Sequence, residues 1–110
     1  MKSSELTGAA LDWAVAKCEG HYLPPIDAYT DVWLSQRRFS TDWAQGGPII
    51  EREGIWTRTT DEGEDDPDCK WRAELPYRAV EVGATPLIAA MRCYVASKLG
   101  DDVAIPEELK

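Results

Sequence analysis

The 110-residue sequence has little of the side-chain chemistry on which most catalytic and metal-binding sites depend. It contains one histidine, His21, and three cysteines, Cys18, Cys69 and Cys93, with no Cys-x-x-Cys pair. A lone histidine excludes sites built from several histidines, and scattered cysteines argue against a zinc site or a disulfide framework. We therefore expect no bound metal, no cofactor and a reducing compartment.

Long apolar runs and clustered positive charges are also missing. No apolar run approaches the length of a membrane span, and Met1–Glu5 is not followed by the apolar core of a signal peptide. The net charge is −8, and Arg37-Arg38 is the only adjacent basic pair. Since nucleic-acid affinity depends on clustered Lys and Arg, this balance disfavours a nucleic-acid partner. We expect an intracellular protein that does not associate with membranes.

The sequence motifs of several enzyme classes are absent. There is no nucleophile elbow, no dinucleotide-binding glycine pattern, no phosphate-binding loop and no His-Glu-x-x-His. Carboxylates are plentiful, but a catalytic pair of them needs a shaped, partly dry cleft. The sequence therefore predicts a protein that is not an enzyme.

One apolar stretch near the C-terminus, from Thr85 to Gly100, has the features of a buried helix. Thr85 suits the N-cap, Pro86 suits the first helical position, and Gly100 suits the C-terminal stop. Between Leu87 and Ala96 the only charged residue is Arg92. Because a helix that is apolar nearly all round is a buried one, we expect the other elements to pack against it.

The remaining sequence predicts further helices and a β-hairpin around this helix. Capping residues and apolar periodicity predict helices, and two alternating segments rich in β-formers predict strands. The predicted fold class is α+β in a single domain, with three main helices at about 7–19, 41–53 and 86–99 and a small antiparallel sheet containing a hairpin at about 54–60 and 69–75. A third short strand is predicted within residues 77–82. The other segments are an irregular stretch at 21–39, in which 29–34 forms either a short strand or a helical turn, a solvated acidic loop at 61–68 and a polar C-terminal tail at 101–110.

The paired glycines Gly46-Gly47 are the most distinctive feature of the second helix. Two glycines weaken a helix, so something must require the missing side chains. Close approach of the buried helix is the favoured explanation, and a backbone surface for a ligand is the alternative. Trp13 is interpreted as part of a second packing face, with a partner contact as the alternative. The candidate binding residues are Trp13, Trp43, Gly46, Gly47 and Arg92.

The charge on Arg92 requires either an exposed position or a carboxylate partner. We predict a structural ion pair with Asp42 or Glu51, because both lie on the segment predicted to pack beside the buried helix. A ligand-binding role for Arg92 is the alternative.

Three blocks of the sequence resemble the bacteriophage NinX family. They are Leu6–Lys17, Ser40–Glu51 and Thr85–Gly100, with the sequences LTGAALDWAVAK, STDWAQGGPIIE and TPLIAAMRCYVASKLG. This resemblance implies a small protein of a lambdoid phage or prophage, which does accessory work in the cytoplasm of the bacterial host. A weaker similarity extends to phage proteins described as α/β/α sandwiches. The resemblance brings no catalytic residues with it.

The leading interpretation of function is a non-enzymatic accessory protein that binds a host or phage protein. Two alternatives stay open: a small-molecule-binding or catalytic domain with a pocket near Arg92, and an acidic mimic of nucleic acid. Because a small sheet leaves its edge strands unpaired, a homodimer through an edge or through tryptophan-bearing faces is a further alternative.

Overall fold

The computed structural model describes residues 1–61 and 65–110. Its α-helices and strands follow in the order α1 (Gly8–Cys18), α2 (Thr30–Ser35), α3 (Trp43–Glu53), β1 (Trp56–Thr59), β2 (Trp71–Leu75), β3 (Ala79–Gly83) and α4 (Pro86–Leu99). Short 3₁₀ turns lie at Ser3–Glu5, Pro67–Cys69 and Glu107–Leu109. The predicted α+β class is confirmed. The predicted acidic loop at 61–68 falls partly outside the described residues.

The strands form an antiparallel sheet in the order β1-β2-β3. The predicted hairpin corresponds to β1 and β2, and the third strand is β3. Thr57 lies opposite Ala73, which lies opposite Glu81, so these three side chains share one face of the sheet. Ala73 is fully buried and α4 packs on all three strands, so this row faces α4. The residues between them point to the opposite face of the sheet.

Helix α4 lies between the sheet and the helices α1 and α3. Its residues Leu87 and Ala89–Val95 are buried, and Thr85 caps its N-terminus by accepting a hydrogen bond from the Ile88 N–H at 3.0 Å. Strand β3 runs directly against it: a Cβ on Gly83 would lie 2.7 Å from the Ala89 nitrogen. Of the α-helices in the described chain, α4 is the one that packs extensively on the sheet, and it covers one of the two faces. The arrangement therefore differs from an α/β/α sandwich.

Two segments are more ordered than their sequences indicate. The stretch at 21–39 contains α2, so residues 30–35 are helical and not a strand. The tail at 101–110 buries Val103 and Ile105 in the core. Its backbone pairs with the N-terminus, since Val103 donates its N–H to the Met1 carbonyl at 2.8 Å. None of the helices in the described ranges has the length and apolar content needed to cross a membrane.

Candidate functional site

Arg92 is buried among oxygen atoms, with 3% of its surface exposed. Its Nε donates to the Leu6 carbonyl at 2.7 Å, and its Nη1 donates to the Val82 carbonyl at 2.8 Å. Nη1 also forms an ion pair with the Asp68 carboxylate at 3.2 Å. Arg92 therefore joins α4 to the N-terminal segment, to β3 and to the end of the acidic loop.

The predicted ion pair of Arg92 with Asp42 or Glu51 is wrong. The side of α4 that carries Arg92 faces β3, whereas α3 packs elsewhere on α4. Asp42 instead caps α3, where its carboxylate accepts a hydrogen bond from the Ala44 N–H at 3.0 Å. Glu51 lies exposed on the surface of α3.

The two glycines of α3 have different surroundings. A Cβ on Gly46 would lie 2.4 Å from the Phe39 carbonyl oxygen and 2.5 Å from Leu87 Cδ1. A Cβ on Gly47 would meet nothing closer than Trp43 Cε3 at 3.8 Å. Close approach of α4 therefore accounts for Gly46 and not for Gly47.

The two candidate tryptophans also differ in their exposure to solvent. Trp13 is 9% exposed and packs in the core, with the Lys17 ammonium 5.6 Å from its ring centroid. Trp43 is 54% exposed and lines a shallow cleft of about 180 Å³ with Ser40, Thr41, Thr85, Leu87 and Ile88. With Trp13, Gly46 and Arg92 buried in the core, the five candidate residues do not line one pocket.

The face of the sheet turned away from α4 carries a surface cleft lined by charged and aromatic side chains. We call this surface the arginine face, and its side chains are Trp56, Arg58, Arg72, Glu74, Val80 and Val82. Trp56 is 66% exposed, and Arg58 and Val80 are exposed as well. A cleft of about 290 Å³ is lined by Trp56, Thr57, Arg58, Arg72 and Glu74.

Arg58 and Arg72 lie directly opposite each other on neighbouring strands. Like charges in this position destabilise a sheet. Neither guanidinium forms an ion pair with a carboxylate among the described residues, and the buried Arg72 Nε has no hydrogen-bond acceptor there. An anionic group placed between the two side chains would relieve the repulsion and satisfy this donor.

The arginine face was not among the sites predicted from the sequence. One signal was present, because the alternation in β1 places Trp56 and Arg58 together on the side opposite Ile55 and Thr57. Arg72 joins them only through the register between β1 and β2.

A second charged cluster lies at the other side of α4. Unlike the arginines of the arginine face, its positive charges are paired with carboxylates. Arg52 binds both carboxylate oxygens of Glu19, at 3.1 and 2.6 Å, and also pairs with Glu53. The Tyr94 hydroxyl donates to Glu19 at 2.6 Å, and Lys98 lies 3.6 Å from Glu53. The hydrogen bonds from Arg52 lower the pKa of Glu19. This cluster links α1, α3 and α4 and is structural.

Two of the three cysteines, Cys18 and Cys93, have thiols that burial keeps protonated. Burial raises the pKa of Cys18 to about 11, and it raises that of Cys93 to about 11. A thiol is a nucleophile only as the thiolate, so neither residue is activated at neutral pH.

We expect the Glu81→Gln variant to be more stable than the wild type at neutral pH. Burial raises the pKa of the Glu81 carboxyl, although the Ser3 hydroxyl donates to it at 3.1 Å. A carboxyl whose pKa is raised by folding contributes stability that is lost as the pH rises through that pKa. The free energy of unfolding, measured in urea, should therefore be higher in the variant at about pH 7 and no higher at about pH 3.

Glu53→Gln is the matched control, for which we expect the stability at neutral pH to change in the opposite direction. The hydrogen bond from Arg52 lowers the pKa of Glu53, so its contribution to stability is present at neutral pH and is lost as the pH falls through the lowered pKa. This variant should be less stable than the wild type at about pH 7, with the difference disappearing on acidification. Equal effects of both substitutions at neutral pH would contradict the assigned role of burial at Glu81.

Fold and surface together define a small α+β protein with a sheet face that carries an exposed tryptophan and two arginines without an ion-pair partner among the described residues. The family model described as Bacteriophage P22, NinX matches residues 2–98. The chain belongs to this bacteriophage family. No curated protein sequence matches the chain.

Proposed function

We propose that this phage protein is a non-enzymatic accessory protein that binds an acidic region of a host or phage protein in the cytoplasm of the bacterial host. Its binding surface is the arginine face. The observation that carries the proposal is the pair Arg58 and Arg72, which lie opposite each other without a carboxylate partner among the described residues.

The chemistry of the arginine face favours carboxylates carried by a protein. Guanidinium groups bind carboxylates through two parallel hydrogen bonds, and exposed tryptophan and arginine are the residue types enriched at the centres of protein interfaces. Val80 and Val82 on β3 add apolar surface beside the arginines. A partner segment with both acidic and apolar side chains therefore matches this surface.

The overall charge favours a short acidic segment over a nucleic acid. The net charge of −8 would repel a long polyanion, whereas two arginines attract a few carboxylates at short range. Small-molecule binding is supported less well, because the cleft of about 290 Å³ is at the lower limit of ligand pockets, which is about 300 Å³.

The test is affinity capture from phage-infected cells with the double variant Arg58→Gln/Arg72→Gln. Lys17→Gln/Arg38→Gln is the matched control, because it also removes two positive charges, from exposed positions in the helical part of the chain. We expect partners recovered by the wild type and the control to be depleted about tenfold or more with the arginine-face variant.

Thermal unfolding separates loss of binding from loss of fold. The arginine-face variant should unfold at the same temperature as the wild type or higher, since replacing both arginines removes a pair of opposed like charges, which destabilises a sheet. Equal recovery by the two double variants would overturn the proposal. Loss of the captured partners after nuclease treatment would also overturn the proposal, because it would show that the arginine face binds nucleic acid.

A further inference from the structure

The structure leaves one edge of the sheet open next to the arginine face. Strand β1 lies at the end of the order β1-β2-β3, so among residues 1–61 and 65–110 only one of its sides is paired. The opposite edge, on β3, is partly occupied, because the Val82 carbonyl accepts a hydrogen bond from Arg92. The outer edge of β1 is therefore the available one.

The register identifies which backbone groups face this edge. Thr60 donates its N–H to the Lys70 carbonyl at 2.9 Å, in the same register that places Arg58 opposite Arg72 and Trp56 opposite Glu74. In an antiparallel ladder, alternate residues direct their N–H and C=O groups to opposite sides. The backbone groups of Thr57 and Thr59 consequently point outward.

Resting on the proposed function, we infer that the acidic partner segment binds by β-strand addition along the outer edge of β1. The backbone of the segment pairs with Thr57 and Thr59, and its alternate side chains join the arginine face. Strand addition gives affinity through the main chain and specificity through alternate side chains.

Charge complementarity decides which side chains the added strand carries. Its outer-face residues lie beside Trp56 and Arg58, one strand spacing away, and about 10 Å from Arg72, which is two strand spacings. A glutamate and an arginine side chain together span that distance. Glutamates at alternate positions therefore meet the guanidinium groups of both Arg58 and Arg72.

The probe for the experiment is a peptide of about ten residues that alternates glutamate and threonine. It is titrated into the ¹⁵N-labelled full-length protein, and binding is followed by amide chemical shifts and hydrogen exchange. We expect exchange at the Thr57 and Thr59 amides to slow, and a matched glutamine–threonine peptide to bind about tenfold more weakly.

Thr57→Pro tests the backbone contact itself. Proline removes the outward N–H, which an edge strand tolerates, and leaves the N–H groups that pair with β2 in place. This variant should keep the wild-type unfolding temperature and bind the acidic peptide about tenfold more weakly, whereas the matched control Thr57→Val should bind as the wild type does.

The possible failures are distinguishable. If Arg58→Gln/Arg72→Gln weakens binding but Thr57→Pro does not, strand addition is wrong and the proposed function stands. If the glutamine–threonine peptide binds equally well and the arginine variant is unaffected, the proposed function is wrong. Protection of Thr57 and Thr59 that grows with protein concentration, without peptide, would show that a second copy occupies the edge and would overturn the inference.

Discussion

Replacing Arg92 by methionine is expected to lower the free energy of unfolding by about 3 kcal/mol or more, since each buried polar group left without a partner costs about 1–3 kcal/mol. Methionine fills much of the same space, but it cannot donate to the carbonyls of Leu6 and Val82, which accept hydrogen bonds from Arg92 at 2.7 and 2.8 Å. Urea unfolding monitored by tryptophan fluorescence measures the loss.

Asp68→Asn separates the ion pair from the backbone contacts of Arg92. Asp68 is the partially solvated member of the pair, with 55% of its side chain exposed. An ion pair exposed to this extent contributes about 0–1 kcal/mol, so its loss should be small. Similar losses in Asp68→Asn and Arg92→Met would contradict the view that satisfying the two carbonyls is the main role of the arginine.

Gly46→Ala is expected to destabilise the protein by about 3 kcal/mol, at the upper end of the cost of overpacking a core. The new methyl group would lie 2.4 Å from the Phe39 carbonyl oxygen and 2.5 Å from Leu87 Cδ1. A side chain can rotate away, but the Phe39 oxygen belongs to the backbone. Relief would therefore require α3 to move away from the Phe39 backbone.

Gly47→Ala is the matched control, because it makes the same chemical change one residue further along the same helix. Apart from the chain neighbours, nothing lies closer than 3.8 Å to the new Cβ, and the clash of that Cβ with the ring of the following Pro48 offsets the gain in helix propensity, so the free energy of unfolding should change by less than about 1 kcal/mol. A large loss of stability at Gly46 and little change at Gly47 are the expected result in thermal and urea unfolding. A loss of stability at Gly47 equal to that at Gly46 would show that the close packing around Gly46 is not the cause.

The elements themselves were predictable because their signals are local. Thr85, Pro86 and Gly100 mark the ends of α4, and its predicted bounds of 86–99 match those observed. The alternation of polar and apolar residues predicted β1 and β2 in the same way. Caps, turns and periodicity act over a few residues, so a sequence shows them directly.

The neighbours of α4 were less predictable for a physical reason. A helix that is apolar nearly all round has no single side that must face the core, so its sequence does not say which side meets which element. The partner of Arg92 was therefore assigned to the wrong segment, although the need for a carboxylate followed from the charge itself. Asp68 lies in a loop whose position depends on the sheet.

The arginine face depends on register, which no local pattern determined. The connection between β1 and β2 is longer than a tight turn, so its type does not set the pairing. A shift of one residue would have moved Arg72 to the face covered by α4. The opposition of Arg58 and Arg72 is thus a property of the folded sheet that neither strand shows alone.

The position of α4 in the chain also affects how the protein folds during synthesis. The inner face of the sheet and the buried side of α1 both pack on α4, which follows all three strands. Until residues 86–99 have left the ribosome, these apolar surfaces have no common partner. We expect consolidation of the core to wait until α4 is available to both surfaces.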